Sequence, residues 1–490
     1  MSAVRKAYFM AALEQYSQVI VSVAMIAILS RLLSSSEIGI AVIGLGIGTI
    51  AFNFREFVTS EYLIQRDDVS RNDVRTAFTL MIGASLIISS LLFLLAPWLS
   101  SFYGQPGLKN FILLLAVSGI IDSSVSTISA LLKRDMEFGT ITRINALGNL
   151  THATVTIFFA WHGHGYMSFA LGTFASSLVR MTLGFHARPI LWMYNPCLSG
   201  WRSFFIFGGF KGASTVLDRA YEALPQLVLG RIMPLAAVGL YNRANLVSGL
   251  PDKVLLSATF SVAFPAFAAE VRAQRCVKAA YLRIISYITA LYWPAQLVLA
   301  ILAYPIVHIA LGPTWNEAIP LVQLLSLAAV LWFPNILTYP VLVALGENRK
   351  AFESNLIGRG VSTIIIVTAS FFGLYGLVLS QFVILPFQSL LSFLYVRKHV
   401  RFDWSELFAI MYKSGKVTLC ACAGPLVVLA ANGFAFDQSF LQAILSIVLS
   451  GIGWVSALIV TKHPFLDELT RFADIVMPRL PLFKHVIPVK

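Results

Sequence analysis

Charged residues are scarce in this sequence. They make up only 12% of its 490 residues, whereas hydrophobic residues make up 58%. Soluble globular domains carry about 25% charged residues, so this scarcity excludes a large soluble catalytic domain. The mean hydropathy of +0.78 predicts a polytopic membrane protein.

Several functional signatures are missing as well. The four cysteines all fall outside the segments predicted to face the exterior, so no disulfide framework is expected. No Walker A motif is present, which argues against ATP hydrolysis. The predicted outer loops are short and hold few acids, which argues against a membrane glycosyltransferase or polymerase. We therefore predict that the chain is not an enzyme and that it uses no cofactor and no metal.

Apolar runs of about 20 residues, separated by short polar turns, are typical of transmembrane helices. About fourteen such runs follow one another along the chain. They lie near residues 11–32, 38–57, 76–96, 109–131, 144–161, 166–187, 204–231, 234–256, 280–309, 317–345, 355–372, 374–396, 415–432 and 441–461. The sequence therefore predicts an all-α polytopic membrane protein with about 14 transmembrane helices.

The basic residues are spread unevenly over the predicted loops. Only Arg31, Lys109 and Arg231 fall on one side, and most of the 36 lysines and arginines, including Arg55 and Arg359, fall on the other. Cytoplasmic loops carry an excess of Lys and Arg, so both termini are predicted to be cytoplasmic. The net charge of +13 then reflects membrane topology and not nucleic-acid binding.

The sequence contains a weak internal repeat. ILSRLLSSSEIGI (28–40) aligns without a gap on VLGRIMPLAAVGL (228–240), which pairs Gly39 with Gly239. An even number of predicted spans separates the two copies, so the repeats are parallel and not inverted. We predict two six-helix bundles around a central cavity, followed by two further transmembrane helices and a cytoplasmic or interfacial tail. The predicted boundaries are 1–200, 201–400, 401–461 and 462–490.

The predicted span 204–231 carries charges in its middle. A charge at the centre of a bilayer costs about 2.5–3.5 kcal/mol on insertion scales, so such residues face protein or water. Successive residues of an α-helix are rotated by about 100° around its axis. With this spacing, several polar side chains of the span fall on one narrow face of the helix, and two more lie beside that face. The face holds Lys211, Thr215, Asp218 and Glu222, and the flanking residues are Arg219 and Gln226.

Two other predicted spans also present polar side chains. Asn145 and Asn149 share one face of the fifth span, and Asn242 and Arg243 lie within the eighth. Two interpretations remain open: a buried structural ion network, or a wet interior that accepts a hydrophilic cargo. The intramembrane cations, which include Arg243, favour a cargo of negative charge.

An ordered set of motifs resembles a known family. SRLLSSSEIGIAVIG, EYLIQRDD, FYGQPGLK and LLKRDMEF resemble, in order, the first half of Wzx-type polysaccharide flippases. LVLGRIMPLAAVGLYNRAN, FPAFAAE and LVALGENRKAF resemble elements of the second half. The resemblance covers roughly residues 1–400. It points to the colanic-acid and succinoglycan exporter group of the multidrug/oligosaccharidyl-lipid/polysaccharide superfamily.

The resemblance implies a function as well as a fold. A member of this family flips an undecaprenyl-diphosphate-linked oligosaccharide across the bacterial inner membrane for the synthesis of exopolysaccharide. It implies membrane lipid, a polysaccharide polymerase and a chain-length regulator as partners, with coupling to a proton or sodium ion. Where the family commonly has an aspartate this chain has Pro225, and Glu222 is the candidate substitute.

We therefore assign roles to the polar residues of the spans as expectations. The residues predicted to bind the diphosphate and sugars are Lys211, Arg219, Arg243, Asn145, Asn149, Asn242 and Gln226. Those predicted to hold the coupling ion are Asp218, Glu222 and Glu56. The alternatives are a drug or cation antiporter of the same superfamily and a membrane-embedded polysaccharide polymerase or ligase.

Overall fold

The computed structural model describes residues 3–66 and 68–476 of the chain. Within this part, side chains are not described for residues 3–17, 210, 211, 257–262, 264, 265 and 471–476. All regular elements of the described residues are helices. The predicted all-α fold is therefore confirmed for this part of the chain.

The helices begin and end where local sequence signals place them. Capping boxes start several of the long helices, as at Ser34 with Glu37, where hydroxyl and carboxylate satisfy backbone N–H groups at the helix start. Gly104, with a φ of +64°, lies at the end of one helix, and Pro106 begins the next. In chain order the first nine helices are α1 Ala3–Leu32, α2 Ser35–Asn53, α3 Tyr62–Gln65, α4 Arg71–Phe102, α5 Pro106–Arg134, α6 Phe138–Trp161, α7 Met167–Ala187, α8 Trp201–Ile232 and α9 Leu235–Ser248.

Ten further helices follow, and some of them are interrupted. A π-helical turn, Asp252–Leu256, separates α9 from α10, and a 3₁₀ turn, Val330–Trp332, precedes α14. The remaining helices are α10 Ser257–Arg272, α11 Val277–Ile301, α12 Ala303–Ala310, α13 Ile319–Ala329, α14 Asn335–Ala344, α15 Asn348–Ser370, α16 Gly373–Val400, α17 Trp404–Ala431, α18 Phe440–Val460 and α19 Phe465–Val476.

Every predicted span falls on one or two of these helices. Helical structure continues beyond the span predicted at 234–256, through the π turn to Arg272. Eight helical segments of the described residues are long and apolar enough to cross a membrane by composition alone. The count of about fourteen spans stays a prediction.

The chain forms two compact units, which are described separately. The first comprises 1–243, 310–315 and 359–377, and the second comprises 244–309, 316–358 and 378–490. In the first unit, Phe78, Leu132 and Phe204 belong to a buried apolar cluster. In the second, Tyr281, Phe393 and Phe402 belong to another. The two six-helix bundles predicted at 1–200 and 201–400 stay a prediction.

The two copies of the internal repeat contact each other within the first unit. Gly39 of α2 packs so closely on α9 that an added Cβ would overlap the carbonyl oxygen of Leu235. Gly239 of α9 packs equally closely on the carbonyl oxygen of Ser35 in α2. Because Ser35 and Leu235 are themselves equivalent in the repeat, these two contacts are reciprocal. Such reciprocity is the mark of a two-fold relation between the copies.

Candidate functional site

The charges predicted on the seventh span lie in the middle of α8. Asp218 Oδ1 lies 3.4 Å from Arg359 Nε of α15. The Arg359 guanidinium also lies 4.2 Å from the ring centroid of Tyr221, one helical turn after Asp218. Arg359, which the charge distribution groups with the inner basic residues, thus pairs with Asp218 of α8. It supplies a fixed positive charge to this carboxylate.

The other two charges of this helix pair with each other. Arg219 Nη1 lies 2.7 Å from Glu222 Oε2, at a spacing of three residues. Their side chains are 48% and 56% exposed. About half of each of these two charged side chains is therefore not covered by other protein atoms.

Glu56 lies next to this helix. A 3₁₀ turn, Phe54–Val58, follows α2 and packs on α8, where Gly208 and Gly212 allow its backbone to approach. A Cβ on Gly212 would lie 3.0 Å from the Glu56 carbonyl carbon. Lys211 occupies the helix between these two glycines, and its side chain lies outside the described residues.

The same 3₁₀ turn carries Arg55, which joins a second polar cluster. Arg55 Nη2 and Arg180 Nη1 lie 3.9 Å and 3.8 Å from the two carboxylate oxygens of Asp122 in α5. Arg180 of α7 also donates a hydrogen bond of 2.7 Å from Nη2 to Asn149 Oδ1. Asn145 is half-buried one turn before Asn149 on α6. Two guanidinium groups thus share the Asp122 carboxylate, and the neighbouring Glu56 also interacts electrostatically with Arg55.

The sequence-based prediction missed Asp122, Arg180 and the role of Arg359. Each is a charged residue inside a predicted span or at its edge, so a search of every span for ionisable residues could have found them. The eight segments that are long and apolar enough to cross a membrane do not include α6, α7, α8 or α15. These four helices contribute most of the polar side chains of the two clusters.

Arg243 occupies a different environment in α9. It is only 4% exposed, and its guanidinium lies 5.9 Å from the ring centroid of Trp315. Trp315 Nε1 in turn donates a hydrogen bond of 2.6 Å to the Ser30 carbonyl oxygen. Among the described residues, Nε and Nη2 of Arg243 have no hydrogen-bond partner. A buried guanidinium with unused donors can take an anion.

The last two predicted ligands are half-buried. Asn242 precedes Arg243 on α9, and Gln226 follows Glu222 by one turn on α8. The structure thus gathers the predicted residues at three places within the first unit: α8 with the 3₁₀ turn, the cluster around Asp122, and Arg243. The first two are linked through Arg55 and Glu56, which are adjacent in the chain.

Comparisons with known proteins agree with this fold. Residues 28–320 match the model of a family described as polysaccharide biosynthesis protein. The chain is 26% identical over 309 residues to the lipopolysaccharide biosynthesis protein WzxC of Escherichia coli, covering 62% of each protein. It is 23% identical to the succinoglycan biosynthesis transport protein ExoT of Rhizobium meliloti, covering 92% of each.

Solved structures share the fold at low sequence identity. The lipid II flippase MurJ, in an inward closed conformation, superposes with a TM-score of 0.75 at 12% identity, covering 94% of this chain and 100% of MurJ. A multidrug resistance MATE family transporter of the MOP superfamily superposes with a TM-score of 0.63 at 14% identity, covering 78% of this chain and 94% of the transporter. The match to WzxC spans less than two thirds of that relative's length.

Proposed function

This chain belongs to the polysaccharide biosynthesis protein family, and we propose that it flips a lipid-linked oligosaccharide across the bacterial inner membrane by alternating access. The cargo is an undecaprenyl-diphosphate-linked repeat unit that moves from the inner to the outer leaflet for exopolysaccharide synthesis. Both termini are cytoplasmic. The name of ExoT, a transport protein similar over 92% of both chains, supports transport over catalysis.

The half-exposed charges of α8 carry this proposal. Arg219 and Glu222 lie near the middle of a 32-residue helix, yet about half of each side chain is open. Charges at that depth avoid lipid because their desolvation is costly. An open charged surface in the middle of a membrane helix therefore meets water. Such a wet path suits a cargo whose head group is hydrophilic and whose polyprenyl tail remains in lipid.

The charges on this path indicate the chemistry of the head group. Guanidinium groups bind phosphate oxygens as bidentate forks. In the proposal, Arg219, Lys211 and Arg243 attract the diphosphate, and Arg55 and Arg180 extend the cationic surface. The amides of Asn145, Asn149, Asn242 and Gln226 hydrogen-bond to sugar hydroxyls.

The carboxylates of the path act as positioning groups in this proposal. Glu222 holds Arg219, and Asp122 orients Arg55 and Arg180. Asp218 already has Arg359 as its counter-ion, so it has less need of a sodium ion. The surplus of cations also disfavours the export of cationic drugs, which is the competing function within the superfamily.

To test the proposal, the gene is deleted in the native host. A leaflet-selective probe applied to spheroplasts then measures in which leaflet lipid-linked oligosaccharide accumulates. Accumulation on the inner leaflet, reversed by the wild-type gene but not by Arg219→Ala, is the expected result. Arg202→Ala is the matched control, because Arg202 begins the same helix and lies outside its charged middle. We expect this control to restore transport.

The other outcomes identify the competing functions. Accumulation on the outer leaflet would indicate a polymerase or ligase that acts after flipping. Normal polymer with no accumulation would favour an antiporter. The proposal includes a polysaccharide polymerase and a chain-length regulator as partners, and co-purification from the native host would detect them.

A further inference from the structure

A second buried polar group lies in the second unit and includes none of the residues proposed to bind the cargo. It is centred on Asp252, the first residue of the π-helical turn between α9 and α10. π-turns inside helices occur frequently at functional sites, because they place a side chain where a regular helix would not. Asp252 is partly exposed.

Two fully buried side chains of α11 hold the Asp252 carboxylate. Gln296 Nε2 lies 3.2 Å from Asp252 Oδ1, 3.0 Å from the Tyr292 hydroxyl and 3.2 Å from the Ser248 carbonyl oxygen. The Tyr292 hydroxyl is itself hydrogen-bonded to Asp252. Both Tyr292 and Gln296 are 0% exposed. The carboxylate is therefore held by neutral donors.

Charged groups near Asp252 are few. Lys253 is its chain neighbour, and the titratable group that α11 presents to it is Tyr292. The basic residues of α11, Lys278 and Arg283, lie at least two turns nearer the start of that helix. The charged residues of α10, Glu270 and Arg272, lie at its far end. Among the described residues, the charged side chain that acts on Asp252 is that of Lys253.

The group also contains an unused acceptor. Among the described residues, Gln296 Oε1 is buried and has no hydrogen-bond partner. A protonated Asp252 could donate to this oxygen, whereas the ionised carboxylate cannot. The site thus has hydrogen-bonding capacity for both protonation states of the acid.

The depth of the group fits a site within the membrane. Gln296 follows Arg283 by about 20 Å of helix and precedes the turn at Gly312 by a similar length, at about 1.5 Å per residue. In the topology predicted from the basic residues, Arg283 lies at the inner boundary and the Gly312 turn lies in an outer loop. An ionisable side chain near the bilayer centre is a functional candidate, and proton relays commonly use such acids.

We propose that Asp252 is a proton-binding site that couples proton movement to transport. A proton from water forms an O–H bond with the Asp252 carboxylate, which becomes neutral. Protonation weakens the charge-assisted hydrogen bonds from Tyr292 and Gln296, because bonds to an ionised acceptor are roughly twice as strong. The π turn is then held less firmly to α11. This inference rests on the proposed transport function.

The first experiment detects the proton without any transport assay. Infrared difference spectra of the protein in nanodiscs, recorded between about pH 5 and about pH 9, should show a protonated-carboxyl band. We expect Asp252→Asn to abolish one component of this band. Asp437→Asn is the control, because Asp437 lies in an exposed loop outside the helices, and it should keep that component.

A second variant tests the proton site even if the Asp252→Asn protein does not fold. Tyr292→Phe keeps the ring but removes one donor to the carboxylate, so the titration midpoint should rise by about one pH unit. An unchanged midpoint, or an unchanged band in a folded Asp252→Asn protein, would overturn the proton site. Displacement of the band by sodium chloride but not by choline chloride would overturn it too, in favour of a sodium site.

A transport measurement separates this inference from the proposed function. If wild-type protein does not flip lipid-linked oligosaccharide but Asp252 titrates, the proposed function fails and the proton site stands. If wild type flips and folded Asp252→Asn flips equally fast at every pH, the coupling is disproved. We expect Asp252→Asn to lose at least about tenfold in flipping rate and to lose its dependence on pH.

Discussion

At the scale of single residues, the cluster around Asp122 depends on a glycine. A Cβ on Gly148 would lie 2.5 Å from Arg180 Nε and 2.7 Å from its Cγ. The Arg180 side chain can approach α6 only because position 148 has no side chain. It then reaches both Asn149 and Asp122.

We predict that Gly148→Ala displaces the Arg180 guanidinium and lowers the export of lipid-linked oligosaccharide by about tenfold, since misplacing a binding group by about 1 Å can cost that much or more. The control is Gly83→Ala, because a Cβ at Gly83 of α4 would meet nothing within 4 Å. Polymer yield and membrane-protein abundance, measured together, would check this. Equal export by the two variants would show that export does not depend on the position of the Arg180 guanidinium.

The charged residues of the site were predictable from the sequence, but their interaction partners were not. The charges on α8 were predictable, because four ionisable residues in one apolar run stand out by their cost. Their partners were not, because Arg359 and Asp218 are 141 positions apart and pair only through tertiary packing. Arg243 was correctly placed within a helix, but its burial against Trp315 depends on a loop distant in sequence.

At the scale of helices, a buried histidine fixes α19 to the second unit. His463 is 1% exposed, and its Nε2 lies 3.1 Å from Ser286 Oγ of α11 and 3.2 Å from Ser414 Oγ of α17. Its Nδ1 accepts a hydrogen bond from the Phe465 backbone N–H. Burial, followed by the nearby Lys413, lowers the pKa of His463 to about 4.

This lowered pKa makes stability depend on pH. The unfolded chain binds a proton at His463 below about pH 6.5, whereas the folded chain does so only below about pH 4, so acid favours unfolding between these values. The full difference corresponds to about 3 kcal/mol. We expect the melting temperature in detergent to fall across this range, and to fall less in His463→Gln. Identical pH profiles for the two proteins would contradict the assignment.

The reciprocal contact between α2 and α9 gives a second prediction at this scale. A methyl group at Gly39 or Gly239 would overlap a backbone carbonyl of the other helix, which cannot move without the helix. We expect each single substitution by Ala to destabilise the protein by about 1–3 kcal/mol. The double substitution should reduce the free energy of unfolding by less than the sum of the two single effects. The reason is that both methyl groups separate the same two helix ends, the starts of α2 and α9.

Thermal unfolding of the single and double variants would measure this coupling. Gly451→Ala in α18 is the control, because a Cβ there would meet nothing within 4 Å. Strictly additive effects would mean that the two glycines act independently, contrary to a reciprocal contact.

At the scale of the whole molecule, the distribution of charge predicts the orientation in the membrane. The loop Asn432–Ser439 contains no Lys or Arg, whereas Arg272, Arg275 and Lys278 surround the turn after α10. We expect alkaline phosphatase fused within 432–439 to be active, which requires an exterior location. The same enzyme fused after Arg275 should be inactive, and a green fluorescent protein after Lys490 should fluoresce. An active fusion after Arg275 would reverse the topology.

How much of the fold was predictable also differs with scale. Apolar runs and turn residues placed nearly every helix, because these signals are local. The π turn at Asp252–Leu256, between α9 and α10, was not predicted, since a π turn has no distinct pattern of hydrophobic residues. The division of the chain into two compact units depends on packing between distant segments, which periodicity does not reveal.

The reciprocal packing of Gly39 on Leu235 and of Gly239 on Ser35 has a consequence for the origin of the chain. An ancestral protein with a single repeat would have met a second copy of itself through one self-complementary patch. Gene duplication and fusion would then have converted a homodimer into one polypeptide. In such a dimer the two-fold axis would have passed between the two glycines, and a larger side chain at either position would have displaced the helix of the other copy.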